Sequence, residues 1–276
     1  MKYSVPTLKR LQPGLGTWIE ISVRDSSRLD RGQDRLNPDF VHEAISIAFS
    51  EVRRLERIFS AFDSQSELSA LNRSQSGSPC VLSNELQTVL DSGLKLERQS
   101  RRSFRLMPRC DHELQCFQLL AGSFTRLGAC LLDLGGIAKG HIVDQAFEFL
   151  RTKLPEAEIS VSAGGDLRTS FTDSVELAIP TAGGDVPRPH ALEGQDHAVA
   201  TSSRLTGPSS LARYPSDQLK VGTPSSVTVQ AKSCMVADAM TKVALFGQVR
   251  DISFDDWGIL RVIEFDPSGT PSRVIS

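Results

Sequence analysis

Asp133, Gly135, Gly136, Lys139 and Gly140 fall in one short run, Asp133-Leu134-Gly135-Gly136-Ile137-Ala138-Lys139-Gly140. A carboxylate, bare backbone and a lysine meet there at the start of a helical pattern. Gly136 lets a ligand approach the backbone, a helix start offers unpaired N–H groups, and Lys139 adds positive charge. That set suits an anionic ligand, a diphosphate above all. Neither G-x-G-x-x-G nor G-x-x-x-x-G-K-[ST] is present. The same run therefore also reads as a plain turn between a buried strand and a helix.

A second run, Ser162-Ala163-Gly164-Gly165-Asp166, repeats the logic of bare backbone beside a carboxylate. Farther on, Asp238 is the only acid in the apolar helical stretch Lys232–Gly247, and Thr241 lies three residues after it. Two readings stand side by side. One is an i,i+4 pair of Asp238 with Lys242, worth about 0.3–0.5 kcal/mol. The other is a ligand or metal site, because an acid in so apolar a helix is costly without a partner.

The elements that must position these residues show as patterns. Ala129 to Leu134 reads as a short apolar strand, and Ile142, Val143, Ala146, Phe149 and Leu150 set one helical face inward. Gly14 to Val23 reads as a turn and strand in which Ile19, Ile21 and Val23 alternate with Glu20 and Ser22. Residues 1–12 read as a flexible tail and 24–35 as a charged loop. Asn37-Pro38 opens a long helix whose stripe Val41, Ala44, Ile45, Ala48, Val52, Leu55 and Phe59 faces a core. Phe62 to Asn72 has two readings: Ser66 caps a short helix, or Phe62 stacks on a planar ring while the serines supply polar contacts.

Asn84 starts a further helix through Leu86, Val89, Leu90 and Leu94. Its basic end, Arg98, Arg101, Arg102, Arg105 and Arg109, reads as a solvated terminus or as contacts to phosphate. Asp111 to Ala121 reads as a short helix. Strands are expected at Glu158–Val161, Val175–Ile179, His197–Ser203 and around Val227 and Val229. Thr181–Gln195 and Gly207–Gly222 read as loops. The chain closes on a hairpin, Ile259–Phe265 and Ser272–Ile275, about the turn Asp266-Pro267-Ser268-Gly269.

With 276 residues and 39% hydrophobic content the chain supports a proper core, and a net charge of −2 argues against a nucleic-acid surface. No apolar run is long enough for a membrane span, and the N-terminus lacks both the apolar stretch of a signal peptide and a lipobox. A cytoplasmic protein is the expectation. The cysteines, Cys80, Cys110, Cys116, Cys130 and Cys234, contain no C-x-x-C and read as reduced, mostly buried thiols. The histidines, His42, His112, His141, His190 and His197, do not cluster, and none is assigned to catalysis.

Taken in order, the motifs resemble the ApbE family, the FAD:protein FMN transferases. The matching pieces are Leu15-Gly16-Thr17-Trp18-Ile19-Glu20-Ile21, Ser66-Glu67-Leu68-Ser69-Ala70-Leu71-Asn72 and Asp133 to Gly140. Ala163-Gly164-Gly165-Asp166, Ala200-Thr201-Ser202 and Ala237-Asp238-Ala239-Met240-Thr241 complete them. The resemblance implies an α+β fold, a single T-fold-related domain over residues 13–276 with mixed or antiparallel sheets and long packing helices. FAD would lie between the glycine turns and those helices. Leu15 and Phe62 would line the flavin, and Asp133, Lys139, Asp166 and Phe104 would contact the dinucleotide. The Gly136 carbonyl, Asp238 and Thr241 would hold Mg²⁺, with Asp238 and Lys139 the catalytic pair. The implied reaction moves FMN from FAD to a Thr or Ser hydroxyl of an acceptor flavoprotein subunit and releases AMP.

Three departures from the family pattern bear on that reading. Where the family carries His-Ile-x-Asp-Pro-x-Thr-Gly, this chain has Arg213 to Gly222 without histidine, Asp217 being a weak substitute. Phe-Asp-x-Thr appears as Phe104-Arg105-Leu106-Met107. Lys242 stands where a metal-binding Thr is usual, with Thr241 one position early. A non-catalytic or weakly active FAD-binding protein, or a pyrophosphatase giving FMN and AMP, therefore stays open beside the transferase.

Overall fold

A computed structural model describes residues 7–25, 37–110, 116–120, 122–183, 186–205, 223–247 and 249–276. It opens with strands β1 (Thr7–Gly14) and β2 (Thr17–Asp25), then helices α1 (Pro38–Phe59) and α2 (Glu67–Arg73). A short strand β3 (Pro79–Val81) precedes α3 (Asn84–Gln99), and β4 (Phe117–Leu120) and β5 (Ser123–Arg126) follow it. Helix α4 (Ala138–Lys153) leads into β6 (Ala157–Ala163), β7 (Asp166–Thr169), β8 (Val175–Ile179), β9 (Arg188–Leu192) and β10 (His197–Ser203). The chain ends with β11 (Ser226–Ala231), α5 (Cys234–Phe246), α6 (Phe254–Trp257), β12 (Ile259–Phe265) and β13 (Pro271–Ile275).

The main sheet runs β1-β2-β6-β7-β10-β11-β12-β13, and its pairings are all antiparallel. Helices α1, α4 and α5 pack together on one face, with α4 against β6 and β7 and α5 against β10 and β11. The expected long helix forms as its signals require. Asn37 accepts from the Asp39 N–H at 2.9 Å, Pro38 takes the first turn, and Val41, Ala44, Ile45, Ala48, Val52, Leu55 and Phe59 are buried. Helix α5 is buried almost all round, as its small and apolar sequence demands. The α+β class is confirmed, and the sheets are antiparallel rather than mixed. No helix among the described residues is long and apolar enough to cross a membrane.

Several local expectations change. Thr7 to Gln12 are no tail: they pair with β2, and alternate side chains lean toward the core. Asp111–Gln115 lie outside the described residues, but Phe117–Leu120 form β4 instead of a helix, because β5 offers an antiparallel partner. Arg188–Leu192 are a strand where a loop was expected. The β8–β9 hairpin buries Ile179 and Leu192 on Val199, Ile263 and Phe265, covering the sheet face opposite the helices. The strand expected at Ala129–Leu134 does not form: Ala129 lies in a bend and Cys130 to Leu134 belong to no sheet. The segment Gly207–Gly222, with Asp217, lies outside the described residues, as does His112.

Candidate functional site

Asn72 builds the first half of the site. Its side chain donates to the Leu132 carbonyl at 2.9 Å and accepts from the Leu132 N–H at 2.8 Å, standing in for a neighbouring strand. Asp133 donates its N–H to the Leu106 carbonyl at 2.8 Å and accepts from the Gly135 N–H at 3.0 Å, so its carboxylate closes a tight Asx turn. Gly136 follows, and a Cβ there would lie 3.4 Å from Lys242 Cε and 3.6 Å from the Phe104 ring. Helix α4 then begins with no side-chain cap of its own.

Asp238, on α5, supplies what the start of α4 lacks. Its Oδ2 accepts from the Gly140 N–H at 3.4 Å, a long bond, across a helix contact so close that a Cβ on Gly140 would lie 2.3 Å from the Cys234 carbonyl. Asp144 secures the same contact from the other side, accepting from Ser233 Oγ and the Cys234 and Met235 N–H groups, each at 2.8 Å. Asp144 therefore caps α5 from α4, a role that its position within a helical run does not announce.

The other Asp238 oxygen is bonded to Lys242 Nζ, which also reaches Ser202 Oγ at 3.1 Å and the Asp238 carbonyl at 3.2 Å. The i,i+4 reading of Asp238 is thus the one realised, buried rather than solvated: Asp238 is 1% exposed and Lys242 2%. Thr241 Oγ1 lies 2.7 Å from both Ser202 Oγ and the Asp238 carbonyl. Lys139 Nζ pairs with Asp166 Oδ2 at 3.1 Å, its side chain 30% exposed against 3% for the acid. Asp166 and then Asp238 hold the Lys139 ammonium firmly charged, while burial, with Asp238 adding to it, pushes the Asp166 carboxyl up.

The second glycine pair is built for close approach. Gly164 has φ +63° and faces Thr17, and a Cβ on Gly165 would lie 2.8 Å from the Thr201 carbonyl. Leu15 and Gly16, with φ of 56° and 71°, form the two-residue β1–β2 turn next to it, and Glu56 accepts from the Leu15 N–H at 2.8 Å. Asp133, Gly136, Lys139, Asp166, Asp238 and Thr241 thus belong to one connected neighbourhood. Phe62 stands at the α1–α2 connection, 87% exposed. The Ser66 cap forms, its Oγ accepting from the Ser69 N–H at 3.0 Å. Phe104, at 1% exposure, has no surface for a nucleotide and packs under Gly136 instead.

The donor set does not fit the implied Mg²⁺. A magnesium ion wants near-octahedral oxygen ligands. Here one Asp238 oxygen is taken by an ammonium and the other by a backbone N–H, Thr241 Oγ1 is spent within α5 and on Ser202, and the Lys242 stem lies against Gly136. Lys242, four residues after Asp238 as the i,i+4 reading required, is the residue that takes the place of the ion. The arrangement presents a helix start, glycine backbone and the half-exposed Lys139 to an anion, above a neutralised Asp238–Lys242 pair.

The ApbE family profile matches residues 15–109 and 105–252. No curated protein matches in sequence. The flavin transferase ApbE of Vibrio cholerae shares the fold with a TM-score of 0.74 at 18% identity, over 99% of this chain and 97% of that one. The Pseudomonas stutzeri flavinyl transferase ApbE, in its apo form, superposes at 0.73 with 16% identity over 100% and 96%. The Thermotoga maritima ApbE protein gives 0.73 at 18%, over 97% of each.

Proposed function

The chain belongs to the ApbE family, and from that premise we propose that it transfers FMN from FAD to a Thr or Ser hydroxyl of an acceptor protein, releasing AMP. The observation that carries this reading is the Lys139 ammonium. It is held by Asp166 at 3.1 Å beside a glycine turn and the start of α4, where a diphosphate would find backbone N–H groups and a fixed cation. In the proposed step the acceptor oxygen attacks the phosphorus on the riboflavin side of the diphosphate. The bond to the bridging oxygen breaks, AMP leaves with that oxygen, and the hydroxyl proton passes to solvent. Lys139 stabilises the charge that develops, and preorganisation supplies much of the acceleration. Leu15 and Phe62 are proposed to flank the flavin. Because Asp238 is already neutralised by Lys242, no step is assigned to a divalent cation.

The same neutralised Asp238 favours a second reading, an FAD-binding protein without turnover. Incubation with FAD and a candidate acceptor separates the two. AMP together with flavin fluorescence on the denatured acceptor supports transfer. AMP without labelled acceptor means hydrolysis, and bound FAD without AMP leaves a binder.

A further inference from the structure

Away from that site, three sulfurs converge. Cys110 and Cys130 are bonded to each other, and Cys116 Sγ lies 2.7 Å from Cys130 Sγ and 3.4 Å from Cys110 Sγ. The expectation of five separate reduced thiols is therefore corrected: the fold collects three cysteines from separate segments that no C-x-x-C spacing marks. Cys110 and Cys116 are buried, and Cys130 is half-buried. The backbone is shaped round them. The Cys116 carbonyl accepts from the Leu127 and Gly128 N–H groups at 2.8 and 3.0 Å, and a Cβ on Gly128 would come within 3.1 Å of Cys116 Sγ.

We propose that Cys110, Cys116 and Cys130 form a Zn²⁺ site in the reduced protein. A disulfide uses two sulfurs and leaves the third buried against it without purpose, whereas a soft-ligand ion uses all three. The three ligand atoms lie within 4.8 Å of one another. Zinc at about 2.3 Å from each sulfur sets them about 3.8 Å apart, so small side-chain rotations open the cluster. A dithiol reductant takes the Cys110–Cys130 bond to two thiols and is itself oxidised to a disulfide. Zn²⁺ then displaces three thiol protons, with water or a further donor in the fourth position. Cys116 also lines a cavity of about 450 Å³ with Glu97, Arg98 and Met107, which gives ion and reductant a way in.

The site ties together two irregular segments that flank the glycine turn. Cys130 lies three residues before Asp133. Cys110 ends the segment whose Leu106 carbonyl holds the Asp133 N–H and whose Phe104 packs under Gly136. This inference stands independently of the flavin reading.

Protein produced with zinc and purified anaerobically with a dithiol should hold about one zinc per chain by elemental analysis. Its Co²⁺-exchanged form should show thiolate-to-cobalt charge transfer in the near ultraviolet. Cys116→Ser should lose that band, and Cys80→Ser, outside the cluster, should keep it. If Cys116→Ser does not fold, the wild-type zinc content and cobalt spectrum decide alone. Metal-free protein with three freely alkylated thiols, a disulfide that survives the dithiol, or a cobalt spectrum without charge transfer would each overturn the site.

Discussion

Lys242 Nζ sits on the Asp238 carboxylate one helical turn away, with both groups nearly sealed from solvent. Removing one partner of a buried ion pair leaves the other uncompensated, at a cost of about 3–5 kcal/mol. Lys242→Ala should therefore lower unfolding stability by that amount, and Asp238→Ala in the same background should recover part of it. Urea titration of the single and double variants checks this. A loss in Lys242→Ala below about 1 kcal/mol would mean that the pair is not closed in solution.

The same pair bears on metal removal. With Asp238 bonded to an ammonium, AMP release from FAD should survive EDTA, and added Mg²⁺ should not raise the melting temperature. Lys242→Thr frees the carboxylate and adds a hydroxyl, so in that variant Mg²⁺ should stabilise the fold. Wild-type activity abolished by EDTA and restored by Mg²⁺ would refute the argument.

Lys139 is the cation that reaches the surface of the site. A hydrogen bond to a charged group contributes about 1.5–3 kcal/mol, so Lys139→Ala should weaken FAD binding by roughly ten- to a hundredfold. Isothermal titration with FAD measures it. Unchanged affinity would move the diphosphate elsewhere.

Gly140 lets α4 and α5 touch. A methyl group there would lie 2.3 Å from the Cys234 carbonyl, which is backbone and cannot step aside cheaply. Gly140→Ala should cost about 1–3 kcal/mol and part the helices, despite the better helix propensity of alanine. A thermal melt at or above the wild-type midpoint would contradict the packing.

His141 carries a pH dependence. Burial lowers its pKa to about 4; its ring meets Phe59 edge-on at 5.6 Å, and its Nε2 has no hydrogen-bond partner among the described residues. The folded state therefore resists protonation that the unfolded chain accepts near pH 6.5. Its contribution of about 3 kcal/mol is present above pH 6.5 and lost as pH falls from 6.5 through 4. Chemical denaturation across that range should show the decline, and His141→Leu should flatten it.

Much of the architecture is legible in residue types. The α1 stripe, its Asn37-Pro38 start and the alternation of Ile19, Ile21 and Val23 are local patterns, and local patterns are what hydrophobic periodicity encodes. Strands β9 and β4 were missed although their partners β8 and β5 lie close along the chain, because pairing and burial against the rest of the fold, rather than their own residue pattern, make them strands. The glycine turns and their acids were readable because close backbone approach demands glycine whatever the fold.

Sequence by itself determined that a carboxylate, a lysine and bare backbone stand together along the run from Asp133 to Gly140, and that such a set suits an anion. Only the tertiary structure decided that the Asp238 charge is spent on Lys242, that Phe104 lies under the turn, and that Cys110, Cys116 and Cys130 share one point. Ion pairing, burial and sulfur contact are properties of distance in space. Spacing along the chain limits that distance within a helix, but leaves it open between segments.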